Sequence, residues 1–108
     1  MAITHNYPFI GTELKLNIHI EPIGDITMDD YDFEVEIYCS PNKSIKAIKT
    51  DMIRVDSSNY IALVDTMKVG TGGLKCKVIA KLPDADFEDG IRTEIAAIDT
   101  GISIVKML

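Results

Sequence analysis

Tryptophan is absent from the sequence, and four tyrosines and three phenylalanines make up the whole aromatic class. A glycan-binding platform of stacked rings therefore has little to draw on. Cysteine occurs only at Cys39 and Cys76, too few for the disulfide framework of a small secreted domain. Histidine occurs only at His5 and His19, and four such residues scattered along the chain make no zinc spacing. The same scarcity leaves no recognisable nucleophile–base pair, so no catalytic residue and no cofactor are expected. Lys and Arg number 11 against 17 Asp and Glu, a net charge of −6. Nucleic acid and anionic membranes both call for clustered basic residues, so neither is an expected partner. No apolar run approaches the roughly 18 residues of a spanning helix. The first residues, Met-Ala-Ile-Thr-His-Asn-Tyr-Pro, lack the basic start and apolar run of a secretory signal. Retention in the cytoplasm of the producing cell is the expectation. Gly70, Gly72 and Gly73 are not followed by the Lys-Ser/Thr pair that completes a phosphate loop.

What the sequence does contain is alternation. From Leu74 to Leu82, the apolar residues Leu74, Cys76, Val78, Ala80 and Leu82 alternate with Lys75, Lys77 and Lys81, and only Ile79 interrupts the polar phase. A period of two over nine residues predicts a strand with one buried and one wet face. Its length makes it the central strand. Glu13 to Ile20 repeats the pattern, with Leu14, Leu16, Ile18 and Ile20 inward and His19 outward. Tyr31 to Ser40 repeats it again, with Tyr31, Phe33, Val35, Ile37 and Cys39 inward and Asp32, Glu34, Glu36 and Tyr38 outward. That acidic outer face is suited to pairing with the lysines of the central strand, at roughly 0.2–1 kcal/mol per cross-strand pair.

The remaining segments are shorter. Ser44 to Thr50 carries lysines among Ile45, Ala47 and Ile48 and reads as an edge strand. Met52 to Val55 and Tyr60 to Val64 form a hairpin around Asp56-Ser57-Ser58-Asn59. Asp65 to Gly70 is the one candidate for a helical turn. Arg92 to Thr100 is a strand that Gly101 breaks, and Ile102 to Lys106 is a final segment; a glycine in such a pattern marks a bulge or kink.

With 108 residues the chain has the length of one domain. About seven short strands and almost no helix predict an all-β fold, an antiparallel immunoglobulin-like β-sandwich over residues 13–108, with a small barrel as the alternative. Its sheets would meet across Leu14, Leu16, Ile18, Phe33, Val35, Ile37, Val78 and Ala80. Residues 1–12 have no periodicity and form an N-terminal arm, laid on the domain edge or docked on a neighbouring subunit. Cys39 and Cys76 both fall on inward phases, as buried free thiols or as a bridge between facing sheets.

Two groups of residues are candidates for sites. Asp84, Asp86, Glu88, Asp89 and Gly90 form an acidic loop. Asp84, Asp86 and Asp89 are the weak candidates for a calcium site, but the spacing departs from the EF-hand pattern and a solvated hairpin loop with no metal is expected. The second group is apolar: Ile3, Tyr7, Phe9 and Ile10 on the arm, with Tyr38 and Ile79 on otherwise polar faces. These are the candidate interface residues.

The order Glu13-Leu14-Lys15-Leu16, then Tyr31-Asp32-Phe33-Glu34-Val35-Glu36-Ile37, then Asp65-Thr66-Met67-Lys68-Val69-Gly70-Thr71-Gly72-Gly73-Leu74-Lys75-Cys76-Lys77-Val78 resembles the immunoglobulin-like domain at the N-terminus of phage baseplate upper proteins and related phage fibre proteins. The resemblance covers Glu13 to about Lys106. It implies a non-enzymatic virion or prophage structural protein of head-fibre, decoration or baseplate type, assembled in the host cytoplasm. Its expected partners are other virion proteins and further copies of itself. The alternative from a different class is a cell-surface glycan- or protein-binding β-sandwich domain.

Overall fold

A computed structural model of the chain describes residues 7–40 and 42–106. Among them seven strands follow one another: β1 (Glu13–His19), β2 (Asp32–Ser40), β3 (Lys43–Ile48), β4 (Ile53–Asp56), β5 (Asn59–Asp65), β6 (Gly72–Pro83) and β7 (Ile91–Ile104). The alternation of β6 is realised in full: Leu74, Cys76, Val78, Ala80 and Leu82 are buried, while Lys75 and Lys81 are exposed. Burying Leu74, Val78 and Leu82 contributes about 1.5–3 kcal/mol each, so β6 supplies a substantial part of the driving force.

The strands form an all-β sandwich of two antiparallel sheets. A three-stranded sheet has the order β1-β5-β4, and a four-stranded sheet has the order β3-β2-β6-β7. Ile18, Tyr60, Ala62 and Val64 of the first sheet enclose the core with Phe33, Val35, Ile37, Leu74, Cys76, Val78, Ala80 and Leu82 of the second. Phe33 meets Tyr60 edge-on, with ring centroids 5.1 Å apart. Leu14 and Leu16 point inward as expected but stay half-buried, because β1 is an edge of its sheet. β3 is likewise an edge, where its lysines remain wet.

Short helical turns cross the ends. Thr27 caps a turn at Met28–Asp30: its backbone N–H donates to Asp30 Oδ2 at 2.8 Å, and its hydroxyl accepts from the Asp29 N–H. Met28 plugs that end of the core and is fully buried. The predicted helical turn is α1 (Thr66–Val69). Asp65 caps it by accepting from the Met67 N–H at 3.0 Å, and Gly70 ends it at φ +81°.

One expectation is corrected. Gly101 does not break the last strand. β7 runs continuously through it, and the register against β6 slips between Gly73 and Lys75, where extra residues of β7 are accommodated as a bulge. The cysteines are the free thiols of the first reading and not a bridge across the sandwich, Cys76 buried and Cys39 half-buried. Cys76 lies opposite Ile37, and Cys39 is two residues further along β2, so both thiols belong to neighbouring strands of one sheet and both are free. Burial holds the Cys76 thiol up at about 11, which keeps it protonated and unreactive.

The arm is partly tied to its own domain. Phe9 makes a parallel bridge with Val105, whose N–H donates to Pro8 O at 2.9 Å and whose carbonyl accepts from the Ile10 N–H at 2.8 Å. The Gly11 N–H donates to the buried Thr66 hydroxyl at 2.8 Å, and that hydroxyl donates to Thr12 O at 2.7 Å.

Candidate interaction surface

Register decides which outward side chains become neighbours. On the outer face of the four-stranded sheet, Ile48 of β3 lies opposite Glu34 of β2, Glu34 opposite Ile79 of β6, and Ile79 opposite Ile95 of β7. One row thus carries three isoleucines across all four strands. Ile95 is 65% exposed and Ile48 51%. A hollow of about 320 Å³ opens within this row between Ile48, Glu34, Ile79 and Lys81. The next row reads Lys46, Glu36, Lys77, Ala97, and the one beyond it Ser44, Tyr38, Lys75, Asp99. On the other side of the isoleucines, Asp32 lies opposite Lys81.

The charges are therefore sorted by strand. Asp32, Glu34 and Glu36 form an acidic stripe on β2, and Lys75, Lys77 and Lys81 form a basic stripe beside it on β6. The expected cross-strand pairing is present: Lys77 Nζ lies 3.1 Å from Glu36 Oε1. Its hydrogen bond, followed by that of the Ser44 hydroxyl at 3.1 Å, holds the Glu36 carboxyl below its ordinary value.

The six residues expected to form an interface do not make one patch. Ile3 lies outside the described residues. Tyr7 and Phe9 are exposed and Ile10 is half-buried, at the end of β7 where Val105 lies. Tyr38 is half-buried two rows from Ile79. Ile79 is the one that belongs to a cluster, and its partners Ile48 and Ile95 are not among the six. Their common face is fixed only by strand register, although the period of two already puts Ile95 with Ile91 and Ala97 on one side of β7.

Other apolar areas are exposed among the described residues. The outer face of the three-stranded sheet carries Ile53, Val55 and Leu63. Beside the free edge of β1, a groove of about 450 Å³ is lined by Ile20, Val78, Ala96 and Ile98, because the wider sheet extends beyond the narrower one.

The polar candidates have local partners. His19 Nε2 lies 2.9 Å from Glu21 Oε1 and Nδ1 lies 3.0 Å from Asn59 Oδ1; the Glu21 carboxylate, first, holds the imidazole pKa above its ordinary value. His5 lies outside the described residues. In the acidic loop, Asp84 Oδ1 accepts from the Asp86 N–H at 3.0 Å and Asp89 Oδ1 from the Ile91 N–H at 3.1 Å. These carboxylates shape the hairpin turn by bonding its own backbone. Among the described residues no group of three or more His, Cys, Asp or Glu is placed to hold a metal ion. No family model, curated protein or solved structure matches the chain.

Proposed function

We propose that this chain is a non-enzymatic structural module of a phage or prophage virion, of head-fibre, decoration or baseplate type, that attaches to other virion proteins and to copies of itself. The observation that carries attachment is the exposed isoleucine row on the outer face of the four-stranded sheet, flanked by sorted charge. Exposed apolar clusters rimmed by polar residues mark protein contacts. The virion assignment rests on the resemblance of three segments, which fall on β1, on β2, and on α1 with β6.

The strand order supports an immunoglobulin-like arrangement. With β1 as strand B, the three-stranded sheet reads B-E-D and the four-stranded sheet C′-C-F-G. In this reading the module takes no cofactor, binds neither nucleic acid nor membrane, and assembles in the host cytoplasm. The test is co-purification. Particles released from cells carrying the gene are banded on a density gradient, and their proteins are identified by mass spectrometry. Recovery of the chain with capsid or tail proteins is expected; particles complete without it would overturn the assignment.

A further inference from the structure

We infer that the outer face of the four-stranded sheet is a self-complementary docking surface for a second copy of this chain, related by a two-fold axis that runs parallel to the strands between β2 and β6. This rests on the reading of the chain as a self-associating structural module and names the surface involved.

The argument is one of charge and symmetry. A two-fold interface brings the same patch of both copies together, so each residue must suit the residue its symmetry mate presents. An axis between β2 and β6 lays β2 of one copy over β6 of the other, and β3 over β7. The acidic stripe then faces the basic stripe twice: Asp32 over Lys81 of the partner subunit, and Glu36 over Lys77 of the partner subunit, each pair repeated by symmetry. The same operation sets Ile48 against Ile95 of the partner subunit. Ile95, 65% exposed, is thereby set beside the partner subunit's hollow between Ile48, Glu34 and Ile79. Other axes lose the match. An axis along β2 stacks the acids on themselves, and one along β6 stacks the lysines. Packed sheets turn by about 30° relative to each other, so contact is closest along β2 and β6, where Glu36 meets Lys77 of the partner subunit and the same operation lays Glu34 over Ile79 of the partner subunit. The three-stranded sheet has no such pair of opposed stripes: its outer face carries Glu13 and Lys15 on the same strand.

Sedimentation velocity of the full chain over a concentration series tests this. The wild type should form a reversible dimer that weakens as salt rises. Ile95→Lys changes an exposed side chain on the edge strand β7, spares the fold, and should raise the dissociation constant about tenfold or more, because it replaces the apolar contact with Ile48 of the partner subunit by a charge. Charge reversal tests the axis. Asp32→Lys with Glu36→Lys makes both stripes basic, and Lys77→Glu with Lys81→Glu makes both acidic. Each double variant alone should be monomeric, and an equimolar mixture should form a heterodimer. Circular dichroism melting of each variant separates loss of association from loss of fold. A monomeric wild type at millimolar concentration overturns the proposal. So does a dimer untouched by Ile95→Lys, one abolished instead by Leu63→Lys on the other sheet, or folded charge variants that fail to recombine. Recovery of the chain in particles is a separate readout: a particle-bound monomer sinks this surface and spares the virion assignment, and a dimer absent from particles does the reverse.

Discussion

At the scale of single residues, the strongest electrostatic feature is Asp29, at the end of the sandwich. Arg54 Nε donates to its Oδ1 at 2.9 Å and Arg54 Nη2 to its Oδ2 at 2.8 Å, and the Tyr60 hydroxyl also donates to it. The Arg54 hydrogen bonds, then that of Tyr60, hold the Asp29 carboxyl down at about 2. A carboxyl depressed on folding contributes stability that is present above its unfolded value near 3.9 and is lost as pH falls through its folded value. The wild type should therefore lose melting temperature between about pH 5 and pH 2 more steeply than Asp29→Asn, and the two curves should converge at the acid end. Parallel curves would show that Asp29 carries no such linkage. The side chain is about a third exposed, so solvent screens the pair and the difference should be modest. A second residue tests the core. Val78 is 7% exposed, and Val78→Asp would bury a carboxylate without a partner, at several kcal/mol. Loss of the cooperative thermal transition is expected. Lys77→Ala, one residue away on the wet face, removes a surface ion pair of about 0–1 kcal/mol and should melt nearly as the wild type does.

At the scale of elements, what could be read from the sequence was whatever depends on neighbours along one strand. The period of two in Leu74–Leu82 told apart the faces of β6, and the same pattern told apart those of β1 and β2. The pairing of an acidic with a basic strand followed from the charges on the outward phase of each. What could not be read was whatever depends on register between strands far apart in the chain. Ile48, Ile79 and Ile95 share a row only because three separate ladders align them. The cysteines show the same limit, since inward phase does not say which sheet a strand joins. At Gly101 the expected bulge is present but the expected break is not, because glycine both ends strands and permits bulges. Here it sits at φ +75° inside β7, where an added Cβ would meet nothing within 4 Å. Any loss on substitution must then come from the backbone conformation, which costs an ordinary L-residue about 1–2 kcal/mol. Gly101→Ala should lower the melting temperature by roughly 4–8 °C per kcal/mol, Gly101→Asn by less because asparagine visits this region, and Gly101→Val by more. Equal melting of all three would mean that the bulge relaxes and that the glycine is not required.

At the scale of the whole molecule, two surfaces are candidates for the proposed contact between copies. The first is the arm, with Tyr7 and Phe9 exposed, and the second is the striped face of the four-stranded sheet. Truncation distinguishes them, because the surfaces are held by different parts of the fold. Removing residues 1–11 takes away both Val105 backbone hydrogen bonds and the one from Gly11 to Thr66, each about 0.5–1.5 kcal/mol net. It leaves the residues of β2, β3, β6 and β7 untouched. The truncated chain should fold, with the strand signature in far-ultraviolet circular dichroism retained and the melting temperature lowered. Thr66 is fully buried, and its hydroxyl would lose its donor and depend on a frayed Thr12, so amide exchange should quicken first in α1 and at Val105. The dimer should survive, because Glu36 and Lys77 lie on the two central strands and Ile95 on β7, in a sheet whose pairing the truncation does not disturb. Sedimentation of the truncated chain decides between the two: a dimer of undiminished affinity fits the sheet face, and a folded monomer would move the contact to the arm.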